Sequence, residues 1–165
     1  VLALAGVGCS KVTGGGWFYD EQTGDKVTVG ATAQPGEVTE WLLEPEIGIA
    51  EARGQFQLID HATKTNIHGT FTGTYGGSVV DAFNDSDEEG RIVVYWGMCS
   101  VDGGEDVPFW VEFYCDYFDL ITGEGPIDYV RISINPDVEY PYTTTQDLYY
   151  SGELKGGNMM VHKAK

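Results

Sequence analysis

Apolar residues recur at every second position in one stretch of this chain after another, a period that suits strands and not amphipathic helices. From Val107 to Tyr117, the residues Val107, Phe109, Val111, Phe113, Cys115 and Tyr117 share one face; Trp110, Glu112, Tyr114 and Asp116 share the other. Ile127 to Ile134 sets Val130, Ile132 and Ile134 against Tyr129, Arg131 and Ser133, and Arg91 to Met98 offers Ile92, Val94, Trp96 and Met98 as one face. Turn signals separate such runs: Thr23-Gly24-Asp25, Gln34-Pro35-Gly36, Gly76-Gly77, Glu88-Glu89-Gly90, Asp102-Gly103-Gly104, Thr122 to Gly125 and Gly156-Gly157-Asn158. Most of the 23 glycines serve these turns, where a positive φ is costly for other residues. The pattern predicts an all-β fold of about ten to twelve strands, an antiparallel β-sandwich of jelly-roll type or a flattened barrel. Only Glu44 to Arg53 could form a helical turn, and Pro45 and Gly48 weaken it.

At 165 residues the chain has the size of one domain and can bury roughly 70% of its unfolded surface. Nine basic residues stand against 26 acidic ones, a formal charge of −17. Such a surface repels phosphate backbones, which excludes nucleic acid as a partner, and it attracts divalent cations, calcium above all. No run reaches the ~18–20 apolar residues of a membrane span. The opening Val1 to Ser10 resembles the end of a secretion signal with a lipoprotein-type cysteine, although Gly6 stands where a large aliphatic residue is expected. Because the chain opens on Val rather than Met, we read residues 1–10 as an extension retained after upstream cleavage, ahead of a single β domain over 11–165.

Three stretches carry a family resemblance: Lys11-Val12-Thr13-Gly14-Gly15-Gly16-Trp17-Phe18, then Gly54 to Asp60 with Asn66-Ile67-His68-Gly69, and finally Gly152 to Lys163. Together they resemble the post-COAP-1 domain, a β-rich extracellular module of prokaryotic surface proteins. The resemblance spans residues 11 to 163 and implies secretion and an all-β fold. It implies no catalytic residues. The three cysteines and residues 1–10 depart from the family pattern.

Several constellations could carry chemistry. Cys99 and Cys115 flank a turn-rich loop and could bridge a hairpin, worth ~3 kcal/mol in a chain-entropy account; two buried thiols are the alternative. Cys9 is then the odd cysteine, lipidated, paired with another chain or buried. Asp85, Asp87 and Glu89 alternate before Gly90 and Ile92, like the first half of a calcium loop, though Trp96 stands where a bidentate Glu belongs; an exposed acidic turn is the alternative. Asp102, Glu105 and Asp106 form a weaker set, as do Asp116, Asp119 and Glu124, and Asn84-Asp85-Ser86 matches a glycosylation acceptor. His61, His68 and His162 read as structural imidazoles. No nucleophile elbow, zinc-binding helix or phosphate loop occurs, and a carboxylate dyad such as Glu112 with Asp128 is one pairing among many. Trp17, Trp41, Trp96 and Trp110 could form a sugar-stacking face or fill a core.

The expected function is a non-enzymatic extracellular subunit that assembles with itself. Val1, Leu2, Ala3, Leu4, Ala5 and Val7 would supply a donor strand and Cys9 would lock it, since an extended segment can add to a neighbour's sheet edge. The competing reading for this segment is pairing with its own domain's edge. The alternative function is a monomeric calcium- or carbohydrate-binding adhesion module of a secreted or lipid-anchored surface protein, with calcium as its cofactor and a glycan as its partner.

Overall fold

The computed structural model describes residues 11–43, 47–76, 91–117, 127–137 and 145–162. Among the described residues nine antiparallel strands form a single sheet: β1 Lys11–Tyr19, β2 Lys26–Leu43, β3 Ile47–Asp60, β4 Asn66–Gly76, β5 Arg91–Val101, β6 Asp106–Tyr117, β7 Ile127–Ile134, β8 Leu148–Glu153 and β9 Gly156–His162. Strands adjacent in sequence are adjacent in the sheet from β1 to β8, and β9 returns to pair with β1. No helix occurs among the described residues, so none is long and apolar enough to cross a membrane. Where a helical turn was expected in Glu44 to Arg53, β3 begins at Ile47 and pairs with a strand on each side. Ladder bonds on both flanks outweigh a weak local preference.

The inner face carries one core. Phe56, Phe71, Tyr95, Phe109 and Phe113 meet at its centre, with ring centres 5.3 Å apart for Phe56–Phe109 and 5.2 Å for Phe71–Tyr95. Two glycines make room for these rings. A Cβ on Gly69 would lie 2.7 Å from the Phe109 ring, and one on Gly152 would lie 2.5 Å from Phe18. In β6 and β7 the residues expected on the apolar face, Phe109, Val111, Phe113, Cys115, Val130, Ile132 and Ile134, are all buried, and Trp110, Glu112 and Ser133 on the other face are buried as well.

In β5 the expected face is reversed. Val93, Tyr95 and Cys99 point inward, Trp96 is half-buried outside, and Met98 is 43% exposed. Both faces of β5 are apolar, so its own pattern selects neither. Its neighbour decides: directly opposed residues share a face, and Tyr95 stands opposite Val111 and Cys99 opposite Val107.

Two expected turns lie inside strands. Pro35 is paired with Ala52 in β2 just before a register shift, the irregular position where a strand tolerates a missing N–H. Gly156 and Gly157 pair with Trp17 and Gly16 in β9. Gly157 has φ +97°, and a Cβ there would lie 2.2 Å from the Gly15 carbonyl oxygen. The turns at 20–25 and 61–65, by contrast, are built alike. The Asp20 amide donates to the Asp25 carbonyl at 2.8 Å, and the Asp60 amide donates to that of Thr65 at 2.9 Å.

Both end strands of the sheet are joined through only Leu154 and Lys155. Because every neighbouring pair is antiparallel, β8 and β9 run in the same direction. The Leu154 amide donates to the Asp128 carbonyl and the Lys155 amide to that of Trp17, so the two ends of the sheet meet at this junction. Beside it, the Glu21 amide donates to the Ser151 carbonyl at 2.9 Å, and the Ser151 amide to Asp20 Oδ1 at 3.0 Å.

Candidate functional site

The outer face of β4, β5 and β6 holds an aromatic cleft of about 510 Å3, with Tyr75, Trp96, Met98 and Trp110 among its walls and Asp137 at its rim. Trp96 and Trp110 stand opposite each other in the β5–β6 ladder, and Tyr75 meets Trp96 edge-on with ring centres 5.0 Å apart. A Cβ on Gly73 would lie 2.1 Å from Trp96 Nε1, so the absence of a side chain there seats the indole. Tryptophan was legible in the sequence as a stacking candidate. Which tryptophans meet was not, because the walls come from separate strands.

Beside the cleft lies a polar network. Glu112 is buried, and its Oε2 accepts from Tyr114 Oη at 2.6 Å and from Arg131 Nη1 at 3.3 Å. Arg131 Nε donates to Tyr149 Oη at 3.0 Å. Burial pushes the Tyr114 phenol up, and the Glu112 carboxylate pushes it further, with Arg131 opposing. Burial opposes the charge on Arg131, but the Tyr149, Tyr114 and Glu112 contacts outweigh it and hold the guanidinium protonated. Tyr129, whose hydroxyl donates to Glu21 Oε2 at 2.7 Å, is pushed up to about 12 by burial and by that carboxylate, against Ser151. This set braces three strands. Glu112 and Asp128 lie on opposite faces, since Glu112 stands beside outward Arg131 whereas Asp128 shares parity with inward Val130, so they form no dyad.

Buried carboxylates lie at the end of the sheet where the β1–β2 and β3–β4 turns sit. Asp20 accepts from the Thr23 amide, the Thr23 hydroxyl and the Ser151 amide, and Asp60 from the amides of Ala62 and Thr63. Tyr150 is pushed up to about 12 by burial, then by Asp60, Asp20 and Asp102. Among the described residues no group of three or more His, Cys, Asp or Glu could hold a metal ion. Asp102 instead accepts from the Asn66 amide at 2.7 Å. The calcium candidates Asp85, Asp87 and Glu89 and the glycosylation motif at Asn84 lie outside the described residues, as do Asp119 and Glu124.

The Cys99–Cys115 disulfide is overturned. Both thiols face the core, but Cys99 stands opposite Val107 and Cys115 opposite Arg91. Eight residues of strand separate those positions, roughly 26 Å at the usual rise, whereas a bridge needs Cα atoms within ~7 Å. Burial, then Asp106, pushes the Cys99 thiol up to about 12, so it stays protonated and inert at neutral pH. The histidines are exposed on the outer face; His61 and His162 share hydrogen bonds of 2.7 Å with Thr28 and Thr13.

The assembly candidates Val1, Leu2, Ala3, Leu4, Ala5, Val7 and Cys9 lie outside the described residues. The β1–β2 ladder ends at Val12 opposite Ala33, while β2 runs on to Leu43 beside β3. This far half exposes Trp41 (39%) and Leu42 (57%). Comparison with known protein families, with curated proteins and with solved structures finds no match to this chain.

Proposed function

We propose that the chain is a non-enzymatic extracellular subunit that assembles by taking a neighbour's residues 1–10 as an added strand along the far half of β2. A register carries this reading. Continued upstream, the β1–β2 ladder sets Cys9 opposite Gly36, and the residues before β1 match the length by which β2 outruns it, with β2 itself shifting register against β3 beyond Pro35. Main-chain bonds would supply affinity, and Leu2 and Leu4 alternating with Ala3 and Ala5 would supply specificity beside Trp41 and Leu42. Pro35, Glu37 and Glu40 on the same stretch discourage indiscriminate pairing.

The meeting of β8 and β9 supports this reading from the other side. On it, the sheet closes into a flattened barrel whose last strand bends at Leu154–Lys155 and serves both β7 and β1. A closed sheet has no exposed end strands, which concentrates strand addition on β2. Secretion and surface location rest on the resemblance to the post-COAP-1 domain and the acidic surface; the cysteines no longer argue for an oxidising compartment. A monomeric calcium- or carbohydrate-binding adhesion module is the second reading, favoured by the aromatic cleft.

The test uses Cys9. Gly36→Cys would stand opposite it in the continued register, and oxidised material on a non-reducing gel should give a ladder of multimers that collapses with reductant. An internal bond in a monomer would mean that each chain fills its own edge and would sink the assembly reading. Deleting residues 1–10 should abolish filaments in negative-stain micrographs while leaving the circular dichroism of the domain intact.

A further inference from the structure

We propose that the cleft between Tyr75, Trp96, Met98 and Trp110 binds a small soluble quaternary-ammonium compound of the choline type. Three aromatic side chains from adjacent strands line it, and a cation is held when it lies within ~6 Å of a ring centre. The same outer face already makes this contact: Lys26 Nζ lies 4.8 Å from the centre of the Trp17 ring. Charge decides the sign of the ligand. Asp137 stands at the rim, no Lys or Arg is among the described residues that line the cleft, and the chain carries −17 overall, so a cation is drawn in and an anion repelled.

The chemistry of the walls decides its type. A sugar needs a dense set of directional hydrogen bonds, which among the described lining residues would fall to Thr72, Asp137, the Tyr75 hydroxyl and the indole N–H groups of Trp96 and Trp110, with Asp137 Oδ1 already accepting from the Thr145 amide. A methylated ammonium needs none, because its charge is spread over methyl groups that pack on rings and on the Met98 thioether. Primary amines, which keep a strong hydration shell, would bind less well.

Tryptophan fluorescence and calorimetric titration of the full chain test this with choline, its uncharged isostere 3,3-dimethyl-1-butanol, glucose and phosphatidylcholine vesicles. Choline should bind saturably, and the isostere about 10-fold more weakly, since the two differ in charge and not in shape. Asp137→Asn should weaken choline a few-fold and leave the isostere unchanged; Trp96→Leu should lose choline binding with the core circular dichroism retained. Should Trp96→Leu fail to fold, the Asp137→Asn comparison decides alone. Equal affinity for choline and isostere, binding of glucose alone, binding of vesicles without free choline, or no saturation by choline up to roughly 50 mM would each overturn the proposal.

Discussion

Over β1 to β4 the outer face presents Gly30, Thr32, Gln55, Gln57, His68 and Thr70, a polar groove of about 560 Å3. Over β4 to β8 it carries the half-buried Tyr75, Trp96, Tyr114, Tyr129 and Tyr149 around a buried Trp110 instead. Beneath both halves runs one inner face of Val, Ala, Ile and Phe. The inner face is nearly uniform because it has one task, to exclude water. The outer face is free to differ, and its aromatic half is costly to leave half-wet unless it is braced or used. Bracing is visible in Glu112, Arg131 and Tyr149; use is what the cleft beside them suggests.

The sharpest way to separate the two faces is to damage each in turn. Phe109→Ala on the inner face should cost about 3–5 kcal/mol in urea unfolding, because its ring touches those of Phe56 and Phe71. On the aromatic half, Arg131→Met should cost about 1–2 kcal/mol, a value reduced because the guanidinium is partly exposed while Glu112 is left buried and short of a partner. An equal loss in the two experiments would erase the distinction between core and brace. Gly73→Ala should cost about 1 kcal/mol and redshift tryptophan emission as the indole of Trp96 is displaced; unchanged emission would mean that the indole is not seated there. The polar half should barely respond, with Gln57→Ala within about 0.5 kcal/mol.

Titration offers a second axis. Tyr150 and Tyr129 are both raised to about 12 in the folded state, against 10 unfolded. A raised folded value means that the stabilisation is whole below pH 10 and is lost as pH rises toward 12, because the unfolded chain releases those protons first. Alkaline unfolding should therefore be cooperative with tyrosinate absorbance, and Tyr150→Phe should shift its midpoint upward. An unmoved midpoint would show that Tyr150 does not titrate with the buried carboxylates around it.

How far the chain could be read ahead of its structure differs from strand to strand. β6 and β7 were legible because polar residues such as Glu112 and Arg131 mark the outer positions between apolar ones. β5 was not, since Trp96 and Met98 are as apolar as Tyr95 and Cys99, and a one-residue shift inverts such a strand. The cysteines misled for a related reason: nearness in sequence across a hairpin says nothing until the register is known, and the turn that sets Ser100 opposite Asp106 carries Cys115 far along the ladder. Of the candidate site, the residue type was readable and the meeting of strands was not.

By itself, then, the sequence determined the strand content, the polar or apolar character of most faces, the tight turns at Gly24 and Gly103, and the net acidity. Each follows from short-range chemistry: side chains alternate every two residues, certain backbone angles suit glycine, and charge sums. Tertiary structure alone decided that all nine strands share one sheet, that its ends meet at Leu154–Lys155, that β2 outruns β1, and that Trp96 faces Trp110. Those outcomes depend on register between distant segments, which is fixed by the collective burial of one face and by no residue acting alone.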